Sequence, residues 1–114
     1  MASAKTAVVT GTFLGAQVAK VFVDGVEQHA VQEVDPVVGY VVRGKTLPEG
    51  ESTPDGFAAI GSRRYLFDRT KEEFVLERVE GAVAITWRDV ERAKLDLAHK
   101  GVGLAAYGLV RAPA

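Results

Sequence analysis

The sequence predicts a mainly β protein (α+β): a small antiparallel sheet or barrel-like sandwich with one C-terminal helix, folded as a single domain over residues 1–114. Three observations predict this class. Short runs of β-branched and aromatic residues recur along the chain. Turn dipeptides such as Asp24-Gly25 separate these runs. The spacing of apolar residues changes to three and four only near the C-terminus, as a helix requires.

Composition fits an ordinary globular domain. With 114 residues, of which 47% are hydrophobic and 25% charged, the chain is long enough to bury a core. The net charge of −1 gives no electrostatic footprint for nucleic acid or an anionic membrane, so we expect neither as a partner. No apolar run approaches the roughly 20 residues that span a bilayer, and the N-terminus lacks the pattern of a secretion signal. Because there is no cysteine, disulfides, thiol catalysis and thiolate metal sites are excluded.

The clearest local signal is a hairpin centred on Asp24-Gly25, whose type I′ turn needs positive φ at both positions. Residues 21–23 suit the incoming strand, and residues 26–34 return with imperfect alternation. Pro36 ends that strand because proline cannot donate a backbone hydrogen bond. Residues 39–43 are predicted as a third strand, which completes a meander.

Residues 44–56 are predicted as a long loop, since they hold three glycines and two prolines. A loop of this length is near the upper end for a compact domain. It is either an ordered functional loop or a mobile connector, and the sequence leaves both open. Residues 4–17 are similarly open between a strand, a loop and an arm.

The second half of the chain predicts strands at residues 64–67, 74–79 and 82–87, with a second hairpin near Gly81. Residues 88–100 are predicted as a helix, because acids lie early and His99 and Lys100 lie late, as the helix dipole favours. Gly101 is a natural helix stop. A last strand is expected at residues 104–110.

The segment from Thr10 to Gly15, with the strand-like residues before it, resembles the opening of short-chain dehydrogenases. In that family a strand ending in TGxxxG leads into a helix whose N-terminus receives a dinucleotide pyrophosphate. The family's third glycine would fall at Gln17, and its Tyr-x-x-x-Lys pair is absent, since Tyr107 is followed four residues later by Arg111. A nucleotide-binding, enzyme-like module is therefore kept as an alternative. It requires a helix near Gly15.

No other sequence pattern indicates a catalytic, metal-binding or ligand-binding site. His29 and His99 lie far apart without paired ligand spacing, and no serine lies in a nucleophile elbow. A small basic cluster is interleaved with aromatic residues, as in some single-strand binders, but neighbouring acids favour a mixed surface. Its members are Arg63, Arg64, Arg69 and Lys71. We predict no catalytic residue, no cofactor and no metal ligand, and hence no enzymatic activity.

Residues 20–27 (KVFVDGVE), 34–35, 39–43 and 77–85 resemble small bacteriophage-encoded β-rich proteins with a V-x-V-D-G-x-E, D, G-x-V and G-x-V-x-I cadence. The motifs are those of turns and strands. The resemblance implies a phage or prophage setting, a location in the virion or the host cytoplasm, and a non-enzymatic role. It carries over no catalytic residue.

We therefore expect a structural or assembly subunit, of the head-decoration or connector type, that acts through strand edges and apolar contacts. Its partners would be copies of itself or other virion proteins, with docking arms at residues 1–17 and 102–114. A small regulator that binds a host protein is a further alternative. A monomer that buries its apolar ends in its own core is equally open. The candidate interface residues are Val8, Val9, Phe13, Leu104, Tyr107 and Leu109. The candidate turn and loop contacts are Asp24, Gly25, Pro48 and Pro54.

Overall fold

The computed structural model describes residues 7–11 and 14–109, and it confirms the predicted class: mainly β, antiparallel, with one α-helix near the C-terminus. The helix α1 occupies Val90–His99. Short 3₁₀ turns lie at Gly15–Gln17 and Ala105–Tyr107. The strands are β1 (Val9–Thr10), β2 (Val18–Val23), β3 (Val26–Gln28), β4 (Val31–Asp35), β5 (Tyr40–Gly44), β6 (Phe57–Ile60), β7 (Tyr65–Asp68), β8 (Glu73–Phe74), β9 (Leu76–Glu80) and β10 (Val83–Trp87).

Antiparallel pairing arranges these strands in three sheets, in the orders β1-β4-β5-β9, β10-β2-β3 and β6-β7-β8. The chain connects the first two sheets at two points: β3 leads into β4 near Ala30, and β9 leads into β10 at Gly81. β2 pairs with β3, β4 with β5, β5 with β9 and β10 with β2, and the chain bends at Ala30 and Gly81 connect β3 to β4 and β9 to β10. The result is the barrel-like form of the prediction, which we call the body.

The predicted hairpin at Asp24-Gly25 is confirmed. Asp24 and Gly25 have φ of 50° and 81°, the two positive values that a type I′ turn needs. Val23 and Val26 face each other as the first pair beyond the turn. The local turn chemistry thus determines the register between β2 and β3.

The predicted meander is wrong in one respect. Residues 26–34 do not form one strand, because Ala30 has a φ of 53° and interrupts them. β3 then pairs with β2, whereas β4 pairs with β5. The three expected strands consequently belong to two sheets, and the bend at Ala30 carries the chain between them.

The predicted second hairpin near Gly81 is also wrong. β9 pairs with β5 and β10 with β2, so Gly81 joins two sheets instead of closing a turn. The Oδ1 atom of Asp24 accepts a hydrogen bond from the Ala82 N–H at 2.8 Å, and the Asp24 N–H donates to the Ala82 carbonyl at 2.8 Å. The hairpin turn at Asp24 therefore holds the bend at Gly81 in place.

Helix α1 lies within the predicted span 88–100, and its ends have clear causes. The Asp89 carboxylate accepts from the Arg92 N–H at 3.0 Å, so Asp89 is the N-cap. At the other end Gly101, with φ of 71°, donates to the Ala98 carbonyl, and Val102 donates to the Leu97 carbonyl. These two bonds form a Schellman motif, and Leu97 and Val102 are both buried, as that motif favours.

The core lies inside the body and includes residues from both ends of the described chain. The helix contributes Ala93 and Leu97, both fully buried. These two helix residues belong to the same buried cluster as the strand residues. The buried cluster consists of Ala7, Val9, Leu14, Val21, Val23, Val34, Val41, Ile85, Trp87, Ala93, Leu97, Val102, Tyr107 and Leu109.

The strand expected at residues 104–110 is replaced, over its described part, by the 3₁₀ turn Ala105–Tyr107, which ends at Gly108 with φ of 71°. Tyr107 is fully buried there. Its hydroxyl donates to the Ala7 carbonyl at 2.8 Å and accepts from the Ala7 N–H at 2.9 Å. The Trp87 indole N–H donates to the Tyr107 carbonyl at 2.6 Å. Tyr107 therefore ties the two ends of the described chain to β10.

No helix in the described part of the chain is long and apolar enough to cross a membrane.

Candidate functional site

The three-stranded sheet β6-β7-β8, which we call the arm (residues 57–74), is an excursion between β5 and β9. Its strands pair with one another, and Tyr65 of β7 also forms an isolated antiparallel bridge with Thr46. The connections to the body pass beside Leu66, because the Leu66 N–H donates to Lys45 and its carbonyl accepts from Val75. Leu66 is the buried residue of the arm, and the rings of Phe67 and Phe74 pack edge to face with centroids 5.1 Å apart.

Strand β6 was not predicted from the sequence, and it forms one edge of the arm. Its sequence, Phe-Ala-Ala-Ile, contains no charge and no proline. Natural edge strands usually carry such features, since they discourage pairing with another chain. The available signal was a run of four apolar residues bounded by Gly56 and Gly61.

The hydrogen bond from the Arg69 N–H to the Gly56 carbonyl, 2.9 Å, fixes which backbone groups of β6 point outward. In the antiparallel ladder it makes Phe57 and Asp68 a non-hydrogen-bonded pair. Alternate residues then bond β7, and the backbone groups of Phe57 and Ala59 point away from it. The Phe57 N–H donates to the Pro54 carbonyl at 3.1 Å. The N–H and carbonyl of Ala59 thus face an edge on which no described strand pairs.

Exposed apolar side chains lie on the arm and at its base. Ile60, at the end of β6, is 41% exposed, and Phe74 and Leu76 are 46% and 48% exposed. Phe74 and Leu76 line a groove of about 380 Å³ with Tyr65 and Gly44. Large apolar side chains on a free strand edge favour contact with another chain.

The loop at residues 44–56 is ordered by the arm. The guanidinium of Arg64 donates from Nη1 to the Pro48 carbonyl at 3.1 Å and from Nη2 to the Glu51 carbonyl at 2.9 Å. The Leu47 N–H donates to the Arg64 carbonyl at 2.9 Å. These three hydrogen bonds connect the 44–56 segment to the arm.

The predicted interface residues do not form an exposed surface. Val9, Tyr107 and Leu109 are 3%, 0% and 6% exposed and lie in the core of the same chain. Val8 and Leu104 are partly buried, and Leu104 packs against that core. Apolar character near the two ends of the described chain reflects packing in one core, so the interface assignment is corrected for Val9, Tyr107 and Leu109. For Val8 and Leu104 it stays a prediction. The sixth, Phe13, lies outside the described residues.

The four predicted turn and loop contacts are exposed, and each serves the fold. Asp24 and Gly25 form the hairpin turn, and the Asp24 carboxylate also holds Ala82. The Pro48 carbonyl accepts from Arg64, and the Pro54 carbonyl accepts from the first residue of β6. Pro54 is therefore the one that lies beside the uncharged edge.

The dinucleotide-binding alternative needed a helix near Gly15. The structure has a three-residue 3₁₀ turn there, and strand β2 begins at Val18. A Cβ atom at Gly15 would lie 2.9 Å from the Thr10 carbonyl oxygen, so this glycine permits a close backbone approach within the chain. Without a helix, the segment offers no helix N-terminus to a pyrophosphate.

The predicted basic cluster is divided by the structure. Arg64 binds the 44–56 loop, and Arg69 and Lys71 lie in the turn between β7 and β8. Arg63 lies in the turn between β6 and β7, on a groove that it shares with His29. The four side chains therefore do not form one basic face.

The most perturbed titration concerns Tyr40 in the body. Its hydroxyl donates to Glu33 Oε2 at 2.7 Å, and the Arg78 guanidinium lies 3.9 Å from the ring centroid. The hydrogen bond to the Glu33 carboxylate, together with burial and that negative charge, raises the pKa of Tyr40 from 10.0 to about 12, although Arg78 acts in the opposite direction.

This shift predicts a pH dependence. The folded chain holds the Tyr40 proton at pH values where the unfolded chain has released it, because the raised pKa of about 12 exceeds the unfolded value of 10.0. The contribution to stability is complete below pH 10.0 and is lost as the pH rises to about 12. Replacing Glu33→Gln should move this tyrosinate step to lower pH in an ultraviolet absorbance titration. An unchanged titration in the variant would contradict the assignment.

Among the described residues, no group of three or more histidine and carboxylate side chains is placed to hold a metal ion. Comparison of the chain with models of known families, with curated proteins and with solved structures finds no match.

Proposed function

We propose that the chain is a non-enzymatic structural or assembly subunit that self-associates through the edge strand β6 of the arm. The observation that carries the proposal is the combination, on one strand, of an edge on which no described strand pairs and an uncharged apolar sequence. Strand addition at such an edge is a common mode of protein recognition.

The partner proposed is a second copy of the chain. Two antiparallel β6 strands related by a two-fold axis form a self-complementary interface. With Ala59 opposite its own symmetry mate, each Ala59 N–H donates to the other Ala59 carbonyl. The Phe57 N–H already donates to the Pro54 carbonyl, so this register does not need it. The pairing uses instead the Ala59 N–H, which points away from β7. No like charges face each other, since residues 57–60 carry none.

A finer proposal places the subunit in a phage particle, as a head-decoration or connector protein. Its support is the resemblance in strand and turn cadence over residues 20–85. A regulator that binds a host protein would present the same edge to a different strand, and the experiment below separates these cases.

The test is Ala59→Pro, which removes the outward N–H and leaves the bonds to β7 intact. Proline is tolerated on edge strands whose N–H faces solvent, so the fold should be retained. We expect the dimer dissociation constant, measured by analytical ultracentrifugation, to rise by roughly tenfold or more, because two hydrogen bonds are lost per dimer.

The matched control is Ala59→Ser, which keeps the N–H and should associate like the wild-type chain. A wild-type chain that stays monomeric at high concentration would contradict the proposal. So would an Ala59→Pro variant that associates as tightly as the control. A wild-type monomer that captures an unrelated extended peptide would favour the regulator instead.

A further inference from the structure

A second groove, of about 390 Å³, lies on the other side of Tyr65, where three segments of the chain converge. The first segment precedes the bend at Ala30, the second is the end of β5, and the third is the turn between β6 and β7. The pairing of Thr46 with Tyr65 joins the last two. We call this the basic groove; it is lined by His29, Arg43, Thr46, Ser62, Arg63 and Tyr65.

Every residue that lines the basic groove carries a polar side-chain group, and none is a carboxylic acid. Arg63 is exposed and makes no hydrogen bond or ion pair with another described residue. The two hydroxyl side chains of Thr46 and Ser62 also have no partner among the described side chains. The side-chain donors of Arg63, Thr46 and Ser62 thus converge on one cavity without a described side-chain acceptor that occupies them.

Arg43 contributes a second guanidinium to the lining, and its side chain is only partly engaged. Its Nη2 lies 2.8 Å from Glu77 Oε1, across the β5–β9 pairing. Its Nε, however, is buried and has no hydrogen-bond partner among the described residues. Buried donors without partners are rare in native proteins, because each one costs the free energy of its lost hydration.

We propose that the basic groove binds the phosphate group of a small organic phosphate. Guanidinium groups match the oxygen geometry of phosphate, and imidazole and hydroxyl groups can complete its hydrogen bonding. The volume of about 390 Å³ falls within the range of small-molecule sites, so the ligand extends beyond the phosphate itself. This binding is independent of pairing at β6.

The experiment is isothermal titration calorimetry of the full chain with adenosine monophosphate and, as a ligand control, with adenosine. A short oligothymidylate tests whether the same phosphate chemistry comes from a nucleic-acid backbone. The test variant is Arg63→Gln, which changes an exposed side chain without a described partner. The matched variant is Arg69→Gln, another exposed arginine of the arm, at the turn after β7.

We expect saturable binding of adenosine monophosphate and none of adenosine. The Arg63→Gln variant should weaken it roughly tenfold or more, as loss of a charged hydrogen bond predicts, and Arg69→Gln should not. Tighter, Arg63-dependent binding of the oligothymidylate would support the proposal and assign the phosphate to a nucleic-acid backbone. Absence of binding by both phosphate probes would overturn it. Equal losses in the two variants, or equal binding of adenosine, would also do so.

Discussion

Replacing Tyr107 with phenylalanine is expected to lower the free energy of unfolding by about 2–5 kcal/mol, since it leaves two buried backbone groups without partners. The hydroxyl both donates to the Ala7 carbonyl, at 2.8 Å, and accepts from the Ala7 N–H, at 2.9 Å. Phenylalanine fills almost the same space, so the loss reports the hydrogen bonds and not a cavity. Tyr107 is fully buried, and water cannot replace the hydroxyl without rearrangement.

Urea denaturation measures this loss, with Tyr65→Phe as the control. The Tyr65 hydroxyl has no hydrogen-bond partner among the described residues, so its removal should change stability by less than about 0.5 kcal/mol. If both variants lose the same stability, Tyr107 does not tie Ala7 to the core in the way described.

Replacing Gly81 with alanine is expected to cost about 3 kcal/mol or more. An alanine Cβ would lie 2.6 Å from Asp24 Oδ2 and 2.8 Å from Val23 Cγ1. Gly81 also has a φ of 156°, which side chains rarely adopt. Asp24 cannot swing away without cost, because its carboxylate holds the Ala82 N–H at 2.8 Å. The substitution therefore strains both the hairpin turn and the bend between the sheets.

Gly103→Ala is the matched control, since nothing lies within 4 Å of a Cβ at that position. Its effect on the melting temperature should be small, or slightly stabilising through the unfolded state. A Gly81→Ala variant as stable as Gly103→Ala would contradict the packing of Gly81 against Asp24.

The features that the sequence predicted well are those governed by local chemistry. The turn at Asp24-Gly25 requires residues that accept positive φ, and the helix ends follow from Asp89 and Gly101. Each signal lies within a few residues of the feature it determines. Such signals therefore predict the local structure independently of long-range contacts in the chain.

The choice of strand partners was not predictable in the same way. The sequence around Gly81 predicts a hairpin turn, but β9 pairs with β5 and β10 pairs with β2, both from the first half of the chain. Ala30 carries no turn signal, yet it adopts φ of 53° because the strands on either side belong to different sheets. Long-range pairing determines both conformations, and a single sequence does not encode that pairing locally.

The prediction of the candidate site failed for the same reason, because it depended on long-range contacts. Apolar residues at the chain ends predicted an interface, yet Val9 and Tyr107 pack in one core, because apolar character alone does not say which chain provides the covering surface. Strand β6 was missed because its four residues were assigned to no element. Its importance depends on which sheet edge it occupies, and only the structure shows that.

The most direct test of the central claim uses the absence of cysteine in the chain. In the proposed pairing, Ala59 faces its symmetry mate in a hydrogen-bonded pair, with Cα atoms ~5.5 Å apart, a separation that a disulfide spans. Ala59→Cys should therefore form a covalent dimer under mild oxidation, seen on a non-reducing gel. Lys20→Cys, an exposed residue of β2 with strands on both sides, should remain monomeric. Failure of Ala59→Cys to crosslink faster than Lys20→Cys would contradict self-association through β6.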